Sequence, residues 1–150
     1  MNTQIINKIL RSKAGLGALI LRVPLGIILI AHGSQKLFGL FGGYGLQGTG
    51  QFMESIGFAP GYLMALLAGS GEFFGGLALV LGLLTRPAAI VTAFTMFMAM
   101  TVHIGNGLFV SNNGYEYALL LAIASVALIA QGAGTFSIDN KLANRLEKSS

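Results

Sequence analysis

The chain has 150 residues, of which 54% are hydrophobic and only 9% are charged. Soluble domains carry about a quarter charged residues, so this composition excludes an ordinary soluble domain and is typical of a membrane protein. The net charge of +4 does not indicate a nucleic-acid-binding protein, because the basic residues are not clustered with aromatic residues on a polar surface. Since the sequence contains no cysteine, disulfides, iron–sulfur ligation and thiol exchange by this chain are also excluded.

Four apolar stretches follow one another along the chain, and each has about the 20 residues that a helix needs to cross the hydrocarbon core of a bilayer. The stretches are residues 14–36, 61–84, 87–109 and 115–133. They predict an all-α membrane protein in which residues 1–150 form a single four-transmembrane-helix bundle. The first stretch is too long for the apolar region of a signal peptide and is interrupted by Arg22, so we expect an uncleaved first helix.

The basic residues predict the orientation of the bundle. Most of them precede the first stretch, join the second to the third, or follow the fourth: Lys8, Arg11, Lys13, Arg86, Lys141, Arg145 and Lys148. Only Lys36, at the end of the first stretch, lies near the opposite side of the membrane. The positive-inside rule therefore predicts a multi-pass protein of the cytoplasmic membrane with both termini in the cytoplasm.

The first two stretches each carry a stripe of small and polar residues. In the first stretch, Arg22, Gly26, Gly33 and Lys36 fall within an arc of about 80°. In the second stretch, the stripe consists of Ala65, Ala68, Gly69, Glu72, Gly75 and Gly76. Helices in lipid associate through such small-residue faces, so Glu72 is expected to point into the bundle.

Charged residues inside a membrane usually have a partner of opposite charge. We expect Arg22 and Glu72 to form a buried ion pair, since their α-carbons would differ in depth by roughly 6 Å. Such a pair could be a fixed contact between the first two helices, or it could be part of a proton or substrate path.

The connection between the first two stretches is rich in glycine and apolar residues. Residues 49–57 are predicted to form a short helix that lies on the membrane surface and covers the bundle, with Thr49 as cap and Gly57 as stop. Three glycines of this loop match the pattern GxGxxG, namely Gly43, Gly45 and Gly48. The strand and helix of a dinucleotide-binding unit do not surround them, so we interpret them as turn glycines.

Further polar residues gather near the outer ends of the predicted helices. The candidate ligand-binding residues are His32, Lys36, His103, Asn106 and Glu116, with Tyr115 beside them. On the predicted topology they lie at a similar depth and form a polar pocket beneath the outer loop. The apolar floor of this pocket is expected to include Phe94, Met96, Phe97 and Met100.

Three ligands suit this pocket, and a fourth interpretation needs none. The two imidazoles could hydrogen-bond the carbonyl oxygens of a quinone, hold a metal ion with Glu116 as third ligand, or bind haem axially. The polar residues could also be interfacial side chains that reach for water. Because the sequence has no HxxxH or ExxH ligand motif, we expect neither a metal nor a covalently bound cofactor, and we favour a quinone.

The chain resembles the DoxX family of small four-helix membrane proteins in three segments: "RVPLGIILIAHGSQKLFG", "GSGEFFGGLALVLGLLTRPAA" and "GAGTFSID". The resemblance covers nearly the whole chain and rests on an ordered set of residues: Arg22, Gly33, Lys36, Glu72, Gly75, Gly82, Arg86 and Asp139. It implies a subunit of a thiosulfate:quinone oxidoreductase or a membrane anchor in a thiol-defence or oxidant-defence complex.

Together, the pocket and the resemblance predict an accessory subunit of a quinone-linked oxidoreductase that binds a small apolar ligand near the outer membrane face. Whether the chain catalyses a reaction by itself is left open. Its expected partners are the lipid bilayer, a redox partner protein and further copies of the same chain, but not nucleic acid. The alternatives are a non-enzymatic scaffold or assembly factor for a redox or oxidant-defence complex, and a small-molecule carrier.

Overall fold

The computed structural model describes residues 3–148 of the chain. These residues form seven α-helices: α1 (Thr3–Leu10), α2 (Leu16–Phe38), α3 (Gly45–Ser55), α4 (Gly61–Leu81), α5 (Thr85–His103), α6 (Glu116–Gln131) and α7 (Ile138–Lys148). Two short 3₁₀ turns, Ile104–Asn106 and Val110–Asn112, connect α5 to α6. The prediction of an all-helical membrane protein is confirmed.

Three helices are long and apolar enough to cross a membrane. They are α2, α4, and α5 together with the 3₁₀ turn that follows it, and they contain 23, 21 and 22 residues. The fourth apolar helix, α6, has 16 residues and is therefore about 24 Å long. That length is somewhat less than the hydrocarbon thickness of about 30 Å, so α6 is the short member of the bundle.

The four apolar helices pack as a closed ring around one core. Helix α2 packs against α4, α4 against α5, α5 against α6, and α6 against α2. Each of these four helices contributes to the buried apolar core, which includes Leu25, Leu29, Leu79, Ala89, Met96, Leu121, Ala122 and Leu128. The outward faces carry many exposed apolar side chains, as expected for helices that are surrounded by lipid.

Helices α2 and α4 are antiparallel and approach each other closely through their glycines. A Cβ atom on Gly26 would lie 2.5 Å from the Gly76 carbonyl oxygen. One on Gly33 would lie 2.5 Å from the Phe73 backbone nitrogen and 2.8 Å from the Gly69 carbonyl oxygen. The small-residue stripes recognised in the sequence therefore form the contact face between the first two membrane helices, as predicted.

Helices α1 and α7 were not predicted from the sequence. They pack against each other, and an ion pair between Arg11 and Glu147 joins them. Both are short and largely polar on one face, so neither resembles a membrane span, and the pairing that stabilises them is a tertiary contact. The pair places both ends of the described chain at one end of the bundle, which we call the terminal end.

The opposite end of the bundle, which we call the loop end, is covered by α3. This helix packs mainly against α4 and begins four residues before the predicted 49–57 segment. Thr49 is buried inside the helix rather than capping it, whereas Gly57 follows the helix with a φ of +90°, as expected for a stop. The loop that leads into α3 contains Gly43, which lies against Gln35 of α2.

Candidate functional site

The predicted ion pair between Arg22 and Glu72 is not formed, which corrects the interpretation made from the sequence. Arg22 is only 2% exposed, and its guanidinium donates hydrogen bonds to backbone carbonyl oxygens. The acceptors are Leu79 at 2.7 Å, Ala133 at 3.1 Å, and also Val80 and Phe136. Two of these carbonyls belong to the last turn of α4, where the regular hydrogen bonds of the helix end. Arg22 therefore caps a helix end.

The register of α2 against α4 explains why the prediction failed. Gly33 contacts Gly69 and Phe73, and Glu72 lies between these two residues in α4. Arg22 is eleven residues before Gly33 in α2, which corresponds to about 16 Å along the helix axis. The depth difference of roughly 6 Å between Arg22 and Glu72 that the sequence suggested was too small. The sequence does not show which glycines of α2 contact which glycines of α4, and these contacts set the register of the two helices.

The surroundings of Arg22 form a compact junction at the terminal end. Gly82 ends α4 with a φ of +64°, and a Cβ atom there would lie 3.0 Å from the Arg22 Cζ atom. Asp139 accepts hydrogen bonds from the backbone N–H groups of Leu84 at 2.7 Å and Thr85 at 2.9 Å. The Asp139 carboxylate thus caps the start of α5, and its charge also stabilises the Arg22 guanidinium. We call these residues the arginine junction.

The carboxylate of Glu72 has a different partner. Lys36 Nζ donates to both of its oxygens, over 3.0 Å to Oε1 and 2.7 Å to Oε2. The Glu72 side chain is 3% exposed and that of Lys36 is 24% exposed. Lys36 is three residues beyond Gly33, toward the end of α2 that is farther from Arg22. It is therefore the basic residue that the close approach of α2 and α4 brings within reach of Glu72.

Two cavities meet at this ion pair. The smaller one has a volume of about 230 Å³ and lies among α2, α5, α6 and the loop before α6. The larger one has a volume of about 480 Å³ and lies among α3, α4 and α5. Lys36, Glu72, Ala99 and His103 line both. The ion pair and one imidazole therefore form the wall that the two cavities share.

The two cavities differ in chemistry. Polar and aromatic groups of the smaller cavity, besides the shared wall, include His32, Asn113 and Tyr117. The larger cavity is lined mostly by apolar side chains, among them Phe52, Met53, Phe58, Leu67, Phe94 and Met98. Three of these come from α3 and the loop that follows it, so the surface helix predicted from the sequence does cover a pocket.

His103 is held by one of its two ring nitrogens. Nδ1 lies 2.9 Å from the Asn113 carbonyl oxygen. A carbonyl oxygen can only accept, so Nδ1 must carry the proton and donate it to this hydrogen bond. In the neutral imidazole, Nε2 is then the nitrogen without a proton, and it can accept a proton or a hydrogen bond from a ligand.

The structure brings three of the five candidate ligand-binding residues to the cavities and leaves two elsewhere. His32, Lys36 and His103 line one or both cavities. The Asn106 side chain donates to the Asn113 carbonyl oxygen at 3.2 Å, and the Glu116 carboxylate accepts from the Val110 backbone at 2.7 Å. Both stabilise the loop between α5 and α6 instead. Of the predicted floor residues, Phe94 and Met96 line a cavity, and Phe97 and Met100 are not among the lining residues.

Sequence reasoning missed Tyr117, which lines the smaller cavity and whose ring lies 5.8 Å from that of His32, centroid to centroid. The helical spacing of α6 could have predicted this position of Tyr117. Tyr117 and Leu121 are four residues apart and share a face, and both line the cavity, whereas Glu116 lies about 100° away around the helix. The position of Glu72 beside Lys36 was missed because Arg22 was taken as the partner.

A metal site with Glu116 as third ligand is not assembled. Within residues 3–148, no three histidine or acidic side chains are grouped so that they could hold a metal ion. The Glu116 carboxylate is engaged by the loop backbone, on the side of α6 that does not line the cavities.

These features define a class: a multi-pass helical membrane protein with a partly buried ion pair between two cavities at one end of its bundle. The chain belongs to the DoxX family, because the model of the family described as DoxX matches residues 17–104. The matched region contains α2 without its first residue and all of α3, α4 and α5, and hence both residues of the ion pair and His103.

Two relatives have related sequences over most of their length. The chain is 34% identical over 127 residues to "Inner membrane protein YqjF" of Escherichia coli (strain K12), which covers 84% of this chain and 92% of that protein. It is 35% identical over 113 residues to "Putative oxidoreductase CatD" of Bacillus subtilis (strain 168), which covers 75% of this chain and 78% of that protein. No solved structure matches the chain significantly.

Proposed function

We propose that the chain is an accessory subunit of a quinone-linked redox system and that it binds a quinone-type ligand in the cavities at the loop end. The observation that carries the proposal is the ion pair of Lys36 and Glu72. With His103, it forms the wall between a smaller cavity that contains several polar groups and a larger, mostly apolar cavity. A charged pair beside an apolar cavity offers few, fixed polar contacts to an otherwise apolar ligand, as small-molecule sites commonly do.

The larger cavity suits a lipophilic ring and the start of its tail. Its volume of about 480 Å³ falls within the range of roughly 300–1,000 Å³ that is typical of small-molecule sites. Leu67, Phe94 and Met98 line it, and all three are partly exposed on the outer surface of the bundle. An isoprenoid tail could therefore leave the cavity between helices and enter the bilayer.

The shared wall offers both a donor and an acceptor to such a ring. An ammonium group has three N–H donors, and Glu72 occupies two of those of Lys36. The third is available to a carbonyl oxygen of the ligand. His103 Nε2 is available to accept a hydrogen bond from a hydroxyl group, which is what a quinone bears in its reduced form.

The chain itself supplies binding rather than electron transfer in this proposal. It has no cysteine, so the electrons that reduce or oxidise the ligand are assigned to a partner protein. A redox role is supported by the name of the relative CatD, which is classed provisionally among the oxidoreductases. A pure scaffold would not require a two-part pocket with a partly buried ion pair in its wall.

We further place the protein in the cytoplasmic membrane with the terminal end in the cytoplasm, so that the cavities lie in the outer half of the bilayer. The basic residues of α1 and α7 support this orientation. Because the sequence has no cysteine, single cysteines can be introduced and labelled from outside intact cells. We expect labelling of Asn112→Cys and no labelling of Lys148→Cys until the cells are opened. The reverse pattern would overturn the orientation.

Ligand binding is tested by thermal unfolding of the purified protein in mild detergent with short-chain ubiquinone and menaquinone analogues. A ligand that binds the folded state stabilises it by RT ln(1 + [L]/Kd), about 2.7 kcal/mol at a concentration of 100 Kd. We expect protection that grows with concentration in this way. Protection should be abolished when His32 and His103 are both replaced by phenylalanine.

The single variants locate the ligand. His103 lines both cavities, but His32 lines only the smaller one. A ring in the larger cavity predicts that His103→Phe weakens protection strongly and that the matched His32→Phe weakens it little. Undiminished protection in the double variant, or none in the unmodified protein, would refute the proposal and favour the scaffold.

A further inference from the structure

We propose that the terminal end contains a binding site for the phosphodiester headgroup of an anionic phospholipid, built around Lys13 and Lys141. These residues are far apart in the sequence, but two hydrogen bonds join the segments that carry them. The Ser12 backbone N–H donates to Asn140 Oδ1 at 2.9 Å, and Asn140 Nδ2 donates to the Ser12 carbonyl oxygen at 2.8 Å. We call this pair of bonds the clasp.

Lys13 and Lys141 directly follow the two residues of the clasp, and both are exposed. The clasp is itself held in place, because the Ser12 hydroxyl donates to the Gln131 carbonyl oxygen at 2.5 Å, and Ser12 is only 5% exposed. The two lysines therefore leave the bundle from neighbouring points of a fixed backbone. Two ammonium groups on side chains that start from such neighbouring points can approach one phosphate from two sides.

The acidic side chains at this end of the described chain are already engaged by other groups. Asp139 is 1% exposed, and its carboxylate accepts from the backbone at the start of α5. Glu147 forms an ion pair with Arg11. The positive charge of Lys13 and Lys141 is thus available to an external anion.

The clasp lies where the chain enters the membrane, which favours a lipid over a free phosphate ion. Helix α2 begins at Leu16, three residues after Lys13. Its first apolar side chains, Leu16 and Ile20, are 55% and 64% exposed. Phe136 lies nearby, because its carbonyl oxygen accepts a hydrogen bond from Arg22 of α2. Its side chain is 65% exposed. Apolar side chains next to basic ones match the two parts of a phospholipid, its acyl chains and its headgroup.

The site is tested with the purified full chain in an uncharged detergent. Thermal unfolding is followed while phosphatidylglycerol, phosphatidylcholine with identical acyl chains, or inorganic phosphate is added. We expect phosphatidylglycerol to protect at lower concentration than phosphatidylcholine, and inorganic phosphate to protect little. The variant Lys13→Gln/Lys141→Gln should need about 30-fold more phosphatidylglycerol, from the usual contribution of two basic side chains at an anionic surface.

A matched control separates a site from general positive charge. Lys8→Gln/Lys148→Gln removes the same charge from exposed positions on α1 and α7. It should change the phosphatidylglycerol requirement less than about threefold, because neither lysine directly follows a residue of the clasp and the two are not joined to each other by it. Lys13→Arg/Lys141→Arg should retain the preference. An equal loss in the control, equal protection by both lipids, or equal protection by inorganic phosphate would each overturn the proposal.

Discussion

Arg22 and Lys36 are cations on the same membrane helix, yet their surroundings differ completely. Arg22 is 2% exposed and is enclosed by backbone carbonyl oxygens of α4 and of the segment before α7. Lys36 is partly exposed, pairs with Glu72, and borders two cavities. A cation whose hydrogen bonds all go to backbone groups of its own chain stabilises the fold, whereas one that borders open space can also contact a ligand.

Arg86 has surroundings similar to those of Arg22, because it too is bonded to backbone carbonyl oxygens. Its guanidinium donates to carbonyl oxygens at the ends of two helices, namely those of Lys8, Ile9, Arg11, Ile129 and Ala130. Carbonyl groups at a helix end have no partner within the helix and must find one elsewhere. Arg22 and Arg86 therefore act as helix caps. Of the residues that mark the family resemblance, Arg22, Gly82, Arg86 and Asp139 build the fold, and Lys36 and Glu72 build the candidate site.

The largest effect is expected from Arg22→Ala. Removing this side chain takes its N–H donors away from four carbonyl oxygens, of which that of Leu79 still accepts from the Gly82 backbone. Each stranded buried acceptor costs about 1–3 kcal/mol. Because neighbouring losses are not additive, we expect the free energy of unfolding in detergent to fall by about 3–5 kcal/mol.

Arg11→Ala is the matched control for this experiment. Arg11 forms an exposed ion pair with Glu147, and such pairs contribute about 0–1 kcal/mol. Equal destabilisation by the two substitutions would show that the Arg22 contacts do not stabilise the fold.

A smaller effect is expected from double-mutant cycles on Glu72. These cycles distinguish Lys36 from Arg22 as the partner of Glu72. Lys36→Met and Glu72→Leu should show a coupling free energy of about 0.5–3 kcal/mol, because each single substitution strands the charge of the other residue. Arg22→Met and Glu72→Leu should be additive within about 0.5 kcal/mol, since these residues have no common partner. Unfolding in mixed micelles measures both cycles. Coupling of Glu72 to Arg22 but not to Lys36 would restore the pairing inferred from the sequence.

Much of the fold could be predicted from the sequence because hydropathy reports directly on lipid contact. The first span was expected at residues 14–36, and α2 extends from Leu16 to Phe38. The small-residue stripes were also recognised as helix contact faces, since close approach in lipid requires glycine or alanine. Helices α1 and α7 could not be found in this way, because each is stabilised by packing against the other and by the clasp.

The candidate site was only partly predictable. His32, Lys36 and His103 were found because polar residues at the ends of apolar helices are conspicuous. The residues that these side chains contact were not found, because such contacts depend on the register between helices and on side-chain direction. Glu116 was expected in the pocket, but its carboxylate is used by the backbone of Val110. The neighbouring Tyr117 faces the smaller cavity instead.

A change of similar size is expected at Gly33, which lies between Arg22 and Lys36 in α2. In Gly33→Ala, the new Cβ would lie 2.5 Å from the Phe73 nitrogen and 2.8 Å from the Gly69 carbonyl oxygen. Both contacts are backbone atoms, so α2 and α4 must move apart. Overpacking of this kind costs about 1–3 kcal/mol. Gly17→Ala, in the same helix, meets nothing within 4 Å and should stabilise the protein by up to about 1 kcal/mol.

Gly33→Ala also tests whether the candidate site depends on this close approach. Lys36 is one turn beyond Gly33, and Glu72 is beside Phe73, so separating the helices should lengthen the contact between the two charged groups. We therefore expect Gly33→Ala to weaken protection by a quinone analogue more than the loss of stability alone explains, and Gly17→Ala to leave it unchanged. Thermal shifts at several ligand concentrations separate the two contributions, because a change in Kd displaces the concentration dependence and a change in stability does not. If both variants responded alike to the ligand, the geometry of the ion pair would not govern binding.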